Sequence, residues 1–189
     1  MTGPVPAPRS ALAARDGLRR VTVAQGETRV SDEEDVVLTT VLGSCIAACF
    51  YDPVARTGGI NHYLLADGTA SDTASMQRYG VYAMEVLINA MLSMGAARHR
   101  LRARIFGGAS MRAGFRDIGA DNIAFARRFL RDERIALVGE DVGGHGARRV
   151  EFRPALGLAR CRTVADAPPV RVVRPPVPAP VDTGDVEFF

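Results

Sequence analysis

Residues 36–67, VVLTTVLGSCIAACFYDPVARTGGINHYLLAD, constrain the fold more than any other part of the chain. They hold three short apolar runs, 36–42, 46–51 and 60–65, rich in β-branched residues. Gly43-Ser44 breaks the first pair, and a loop from Asp52-Pro53 to Gly58-Gly59 breaks the second. Such runs read as strands, and connections this short favour neighbours in one sheet. Cys45 follows the Gly-Ser turn, His62 lies on the third run, and Thr39 and Thr40 lie on the first. Thiol, imidazole and hydroxyl on adjacent strands are the parts of a cysteine nucleophile with its base and orienting group. A cysteine at a Gly-Ser turn also sits among backbone N–H groups that lower a thiol pKa and hold an oxyanion. The plainer reading is a small buried hydrophobe beside a packed histidine.

The motifs go further than the spacing. LGSC-I-x-A-x-F-x-D-P and GG-I-N-H-Y-L-L are followed by IFGGASM at 105–111, IGADN at 118–122 and EDVGG at 140–144 with Arg148. In this order the set resembles the CheD family of bacterial chemotaxis proteins, over roughly residues 20 to 164. The resemblance implies a glutamine deamidase that acts on methyl-accepting chemoreceptors and regulates chemotaxis, with no metal and no organic cofactor. It implies an α+β fold of two mixed sheets packed face to face with flanking helices, similar to the catalytic domains of deamidating toxins. It assigns Cys45 as nucleophile and His62 as base. The family's orienting threonine lies six residues before the cysteine, which here is Thr39. Thr40 is an adjacent rival, and because strand side chains alternate, only one of the two can serve. Gly43, Ser44, Gly107, Gly108 and Ser110 are the expected oxyanion and pocket residues. CheC-like or CheY-like proteins are expected further partners. Two other readings compete: a non-catalytic partner of a CheC-type phosphatase, and a different thiol hydrolase.

The remaining sequence agrees with a single catalytic domain. At 189 residues and 47% hydrophobic, the chain can bury one good core. Its net charge of +3, carried by arginine with no lysine, is too small to argue for nucleic acid. Cys45, Cys49 and Cys161 form no CxxC pair, which speaks for a reducing compartment and against structural zinc. No run is apolar and long enough for a signal core or a membrane span, so the expectation is a cytoplasmic protein without membrane insertion. Residues 1–19 read as a loose arm, 20–164 as the deamidase domain and 165–189 as a proline-rich tail ending in Asp185-Val186-Glu187-Phe188-Phe189, either solvated or docking on a partner.

Within the domain, 20–24 and 27–31 read as short strands, and 66–75 as a polar connector. A helix over 77–94 carries Met84, Leu87, Ile88 and Met91 on one face. A strand with an arginine-bearing face ends at Gly107-Gly108. A second helix over 121–134 starts with Gly119 and Asp121 or Asn122, a strand covers 135–138 before a turn at 140–144, and a hairpin closes around Pro154-Ala155. Cys49 reads as core, and Ser110 as a weaker candidate nucleophile without the G-x-S-x-G setting.

Overall fold

The computed structural model describes residues 16–65, 73–110 and 117–164. The expected arm and tail, most of the polar connector, and Met111 fall outside these residues in whole or in large part. In chain order the elements are β1 (Arg19–Thr22), β2 (Thr28–Ser31), β3 (Val36–Leu42), β4 (Ile46–Asp52), β5 (Thr57–Tyr63), α1 (Thr73–Ser93), β6 (Arg102–Gly107), α2 (Ile118–Asp132), β7 (Ala136–Val142), β8 (Arg148–Arg153) and β9 (Leu158–Thr163).

The strands form two mixed sheets, one ordered β1-β3-β8-β9 and one ordered β2-β5-β4-β6-β7. The first has β1 parallel to β3 and the rest antiparallel; the second has β6 parallel to β7 and the rest antiparallel. This is the expected α+β architecture, with a difference in how its first strands are distributed. β3 does not lie beside β4. The chain leaves one sheet at Leu42, turns through Gly43-Ser44, and enters the other at Ile46. β1 and β2 are likewise divided between the sheets. The first two strong runs therefore face each other across the interior.

Alternation along each strand gives the five-stranded sheet two unlike faces. Ile46, Ala48, Phe50, Tyr63, Ala103 and Ile105 point toward α1 and α2, where Met84, Leu87, Ile88, Met91, Phe125, Phe129 and Leu130 close an apolar core. Both helices thus lie on one side of this sheet. Cys45, Ala47, Cys49, Ile60 and Phe106 point the other way, against Val36, Leu38, Leu42, Val150 and Phe152 of the four-stranded sheet.

Several boundaries differ from the sequence reading for local reasons. Gly58 and Gly59 are strand residues rather than the end of a loop: β5 begins at Thr57. A side chain at Gly58 would strike the Pro154 and Phe50 carbonyls, and one at Gly59 would strike Leu87 and Val30. Strand β7 runs on through Glu140 and Asp141, leaving Gly143-Gly144 as the turn. Helix α1 ends as expected at Gly95, whose φ of +88° lets Ala96 N–H reach back to the Met91 carbonyl at 3.1 Å. Helix α2 is capped by Asp117, whose carboxylate accepts from Ala120 N–H at 3.0 Å. Asn122 lies inside that helix and is fully buried, so it is not the cap the sequence suggested.

At the far end of β4, the buried Asp52 carboxylate collects N–H bonds from Val54 (2.9 Å), Ala55 (3.2 Å) and Ala97 (2.8 Å) and pairs with Arg100 at 2.8 Å. Burial alone would raise its pKa. The Arg100 guanidinium and the three amides outweigh that and hold the carboxyl well below the usual carboxylate range.

Candidate active site

Strand register brings Cys45 and His62 near each other. Ala47 pairs with His62 across β4 and β5, and Cys45 stands two residues before Ala47 on the same face. It is therefore a diagonal neighbour of His62, although no hydrogen bond joins its thiol to the imidazole. Both side chains lie almost wholly inside the seam between the sheets, Cys45 at 9% and His62 at 6% exposure.

The hydroxyl that reaches His62 is Thr40, not Thr39. Thr40 Oγ1 lies 2.9 Å from His62 Nδ1, and the same oxygen lies 2.8 Å from the Val23 carbonyl. Thr40 shares its strand face with Val36, Leu38 and Leu42, which belong to the inter-sheet core. Thr39 falls on the opposite parity with the exposed Val41, and its carbonyl accepts from Val23 N–H at 2.8 Å. The expectation of Thr39 as the orienting residue is corrected on this geometry: its side chain leaves the other face of β3.

The two Thr40 contacts fix the imidazole tautomer. A hydroxyl has one proton, and a carbonyl has none, so the 2.8 Å contact with Val23 uses the Thr40 proton. Thr40 must then accept from Nδ1–H, and Nε2 carries the free lone pair. Nε2 is buried and has no hydrogen-bond partner among the described residues. Burial lowers the His62 pKa, with the Val23 carbonyl working against the shift. Burial pushes the Cys45 thiol up to about 11. Both shifts favour a neutral thiol and a neutral imidazole over an ion pair.

The turn bearing Cys45 is held by its carbonyls. Ala109 N–H donates to Gly43 O at 2.8 Å, Asn122 Nδ2–H to Ser44 O at 3.0 Å, and Gly108 N–H to Cys45 O at 2.8 Å. Gly107 and Gly108 hold φ of +105° and +65°, and a side chain at Gly107 would collide with the Cys45 carbonyl. These glycines support the turn from behind. Asn122 does more than hold Ser44, because its Oδ1 accepts from Leu65 N–H at 2.8 Å. One buried amide thus ties the cysteine turn to the end of the histidine strand. Ser110 is directed elsewhere: its N–H donates to Gly144 O at 2.8 Å and its carbonyl accepts from His145 Nδ1 at 3.3 Å, so its backbone joins it to the turn after β7. Cys49 is fully buried, as its core reading required, and burial drives its thiol pKa far upward.

A cleft of about 380 Å³ opens between β2, β5 and α1, bordered by Arg29, Asn61, His62, Tyr63, Tyr79 and Tyr82; Cys45 and Thr40 do not line it. Among the described residues no three His, Cys, Asp or Glu side chains are grouped as metal ligands would be.

A thiol, an imidazole with a free nitrogen and a hydroxyl that orients it, set between the sheets of an α+β domain, are the parts of a cysteine hydrolase. Comparison with known proteins narrows the class. The family model CheD, described as chemotactic sensory transduction, matches residues 64–163. A Zymomonas mobilis protein named as a probable chemoreceptor glutamine deamidase CheD is 60% identical, over 92% of this chain and 94% of its own. Proteins of the same name from Caulobacter vibrioides (55% identical, 90% of this chain, 93% of theirs) and Rhizobium meliloti (48%, 90% and 96%) also align. This chain belongs to the CheD family. Among solved structures, a Neisseria meningitidis protein of family model DUF152 overlays with a TM-score of 0.43 at 15% identity, over 68% of this chain and 63% of that one.

Proposed function

We propose that this chain deamidates glutamine side chains of chemoreceptors, releasing ammonia and leaving glutamate, with Cys45 as nucleophile, His62 as base and Thr40 as the orienting hydroxyl. The activity follows the names of relatives that align over nearly their whole length. The residue assignment is supported by one observation above the others: the chain of Val23 carbonyl, Thr40 hydroxyl and His62 Nδ1 that leaves Nε2 bare.

Because thiol and imidazole are both neutral at rest, proton transfer accompanies attack. His62 Nε2 takes the Cys45 proton as Sγ bonds to the substrate's amide carbon, and the carbonyl electron pair moves to oxygen. With the carbonyls of Gly43, Ser44 and Cys45 tied back, the N–H edge of the turn is the side left for that oxyanion. Imidazolium then protonates the departing ammonia, leaving a thioester. Water, deprotonated by the same nitrogen, releases glutamate and restores the thiol.

The substrate on this reading is a helical segment of a chemoreceptor. CheC-like or CheY-like proteins are the second class of partner on this reading. Residues 20–164 form the catalytic domain and the protein works in the cytoplasm. No described helix is long and apolar enough to cross a membrane.

Intact-mass measurement of a purified receptor cytoplasmic fragment tests the whole scheme. Incubation should add about one dalton per converted glutamine with ammonia release and no chain cleavage. Cys45→Ala should abolish the change while circular dichroism stays that of the folded protein. A folded, active Cys45→Ala protein would remove the nucleophile assignment.

A further inference from the structure

Between β1 and β2 the chain makes a tight turn above the cysteine. Glu27 N–H donates to the Ala24 carbonyl at 3.0 Å, and Gly26 holds φ of +85°, as the third residue of a type II turn requires. The turn is pinned to the histidine strand twice: Gly26 N–H donates to the His62 carbonyl at 2.7 Å, and His62 N–H donates to the Glu27 carbonyl at 3.1 Å. The Glu27 carboxylate braces it further by accepting from Ala24 N–H at 3.1 Å. The residue at the turn's second position is Gln25. It is exposed overall, yet its Oε1 lies 3.4 Å from Cys45 Sγ.

We propose that Gln25 is a further catalytic residue, its carboxamide serving as the side-chain arm of the oxyanion hole. The proposal rests on Cys45 being the nucleophile. A protonated thiol is a donor, so at rest the amide shows it an oxygen. During attack the sulfur loses its proton and bonds to carbon, and negative charge collects on an oxygen attached to that carbon. Rotation about the last side-chain bond of Gln25 exchanges Oε1 for Nε2 and brings N–H donors to the place where charge develops. The reaction balances without consuming Gln25: the S–C bond forms, the π pair moves to oxygen, the thiol proton passes to His62 and then to ammonia. A carboxamide at the thiol of a glutamine deamidase also has the shape of a substrate. Two features oppose that role. The atom facing sulfur is the amide oxygen rather than the carbon, and the turn is fastened on both sides of His62.

The test uses the full chain, a receptor cytoplasmic fragment as substrate, and iodoacetamide alkylation of Cys45 in parallel. Alkylation is a displacement at saturated carbon that forms no oxyanion, so it reports access and proton affinity of the thiol alone. Gln25→Ala should lower kcat about 10²- to 10³-fold while KM and the alkylation rate stay within about twofold. Gln25→Glu, with acceptors only and a negative charge, should be no better. Thermal melting confirms that both variants fold. Unchanged kcat would overturn the proposal. A gain in both activity and alkylation would overturn it in favour of a cover over the thiol. A parallel loss of both would overturn it in favour of an effect on the thiol itself. A Cys45-dependent gain of about one dalton at residue 25 of the wild-type chain would overturn it in favour of self-deamidation. Cys45→Ala measured alongside separates failure of this role from failure of the nucleophile assignment.

Discussion

The five-stranded sheet has one face that packs on the helices and one that carries Cys45 and His62 toward the other sheet. Toward the helices it shows Ile46, Phe50, Tyr63 and Ile105, large side chains packed on methionine, leucine and phenylalanine. Toward the other sheet it shows Cys45, Ala47, Cys49, Ile60 and Phe106, with His62 on the same face. The polar groups follow the same division. On the helix side, Asn61 is spent on structure, accepting from Ala48 N–H at 3.1 Å and donating to the Ala83 carbonyl at 3.0 Å. One residue on, His62 keeps a nitrogen without a partner among the described residues. Adjacent residues of one strand are thus committed to different tasks by the direction of their side chains.

If this division holds, substitutions on the two faces should separate activity from stability. The largest effect after loss of Cys45 is expected from His62→Ala, which should lower kcat about 10²- to 10⁴-fold while the melting temperature changes little. A melting temperature that collapses with activity would mean that His62 belongs to the scaffold. Next comes the threonine pair. Thr40→Val should cost about tenfold or more in kcat, because Nδ1–H loses its acceptor and the ring its orientation, whereas Thr39→Val should stay near wild type. The reverse order would place the relay on the other face of β3.

The same pair marks the limit of what the sequence discloses. The Gly-Ser break, the β-branched runs and the apolar spacing of Met84, Leu87, Ile88 and Met91 carry enough information to place Cys45, His62 and α1. The choice between Thr39 and Thr40 depends on which face of β3 is buried, and VVLTTVL is apolar at both parities. It also depends on β3 leaving the sheet of β4, which a two-residue break cannot announce. Asn122 is hidden for a different reason. Near a helix start, asparagine reads as a cap, and only the packing of α2 against the 43–45 turn turns it into a tie. Gln25 sits in an ordinary Gln-Gly turn, and nothing local says that the turn folds over a thiol.

On the scaffold face, Leu87→Ala should destabilise the domain by about 2–5 kcal/mol in denaturant titrations while the folded fraction keeps its specific activity. Loss of turnover out of proportion to unfolding would show that the two faces are coupled. The smallest effect is the pH dependence. With His62 as the proposed base, activity needs its ring unprotonated, and burial lowers its pKa, so the rate should be level through neutral pH and fall only below the ordinary imidazole range. Alkylation of Cys45 should instead keep rising with pH toward about 11. A thiol fully reactive at pH 7 would indicate a thiolate at rest and contradict the neutral pair.

The chain's passage from one sheet to the other at Leu42 to Cys45 gives the site a property beyond placement. Cys45 and His62 are carried by the five-stranded sheet, while the groups bonded to the imidazole chain, Thr40 and the Val23 carbonyl, are carried with the four-stranded one. Two sheets pack about 10 Å apart, and a hydrogen bond across that seam tolerates little sliding before its angle fails. On the proposed assignment, catalysis works as a gauge of how the layers are seated. A shift of one layer against the other, small enough to leave every strand and helix intact, would silence the enzyme while its circular dichroism still read as native. Under pressure, mild denaturant or a partner's grip, this protein should stop working before it starts to unfold.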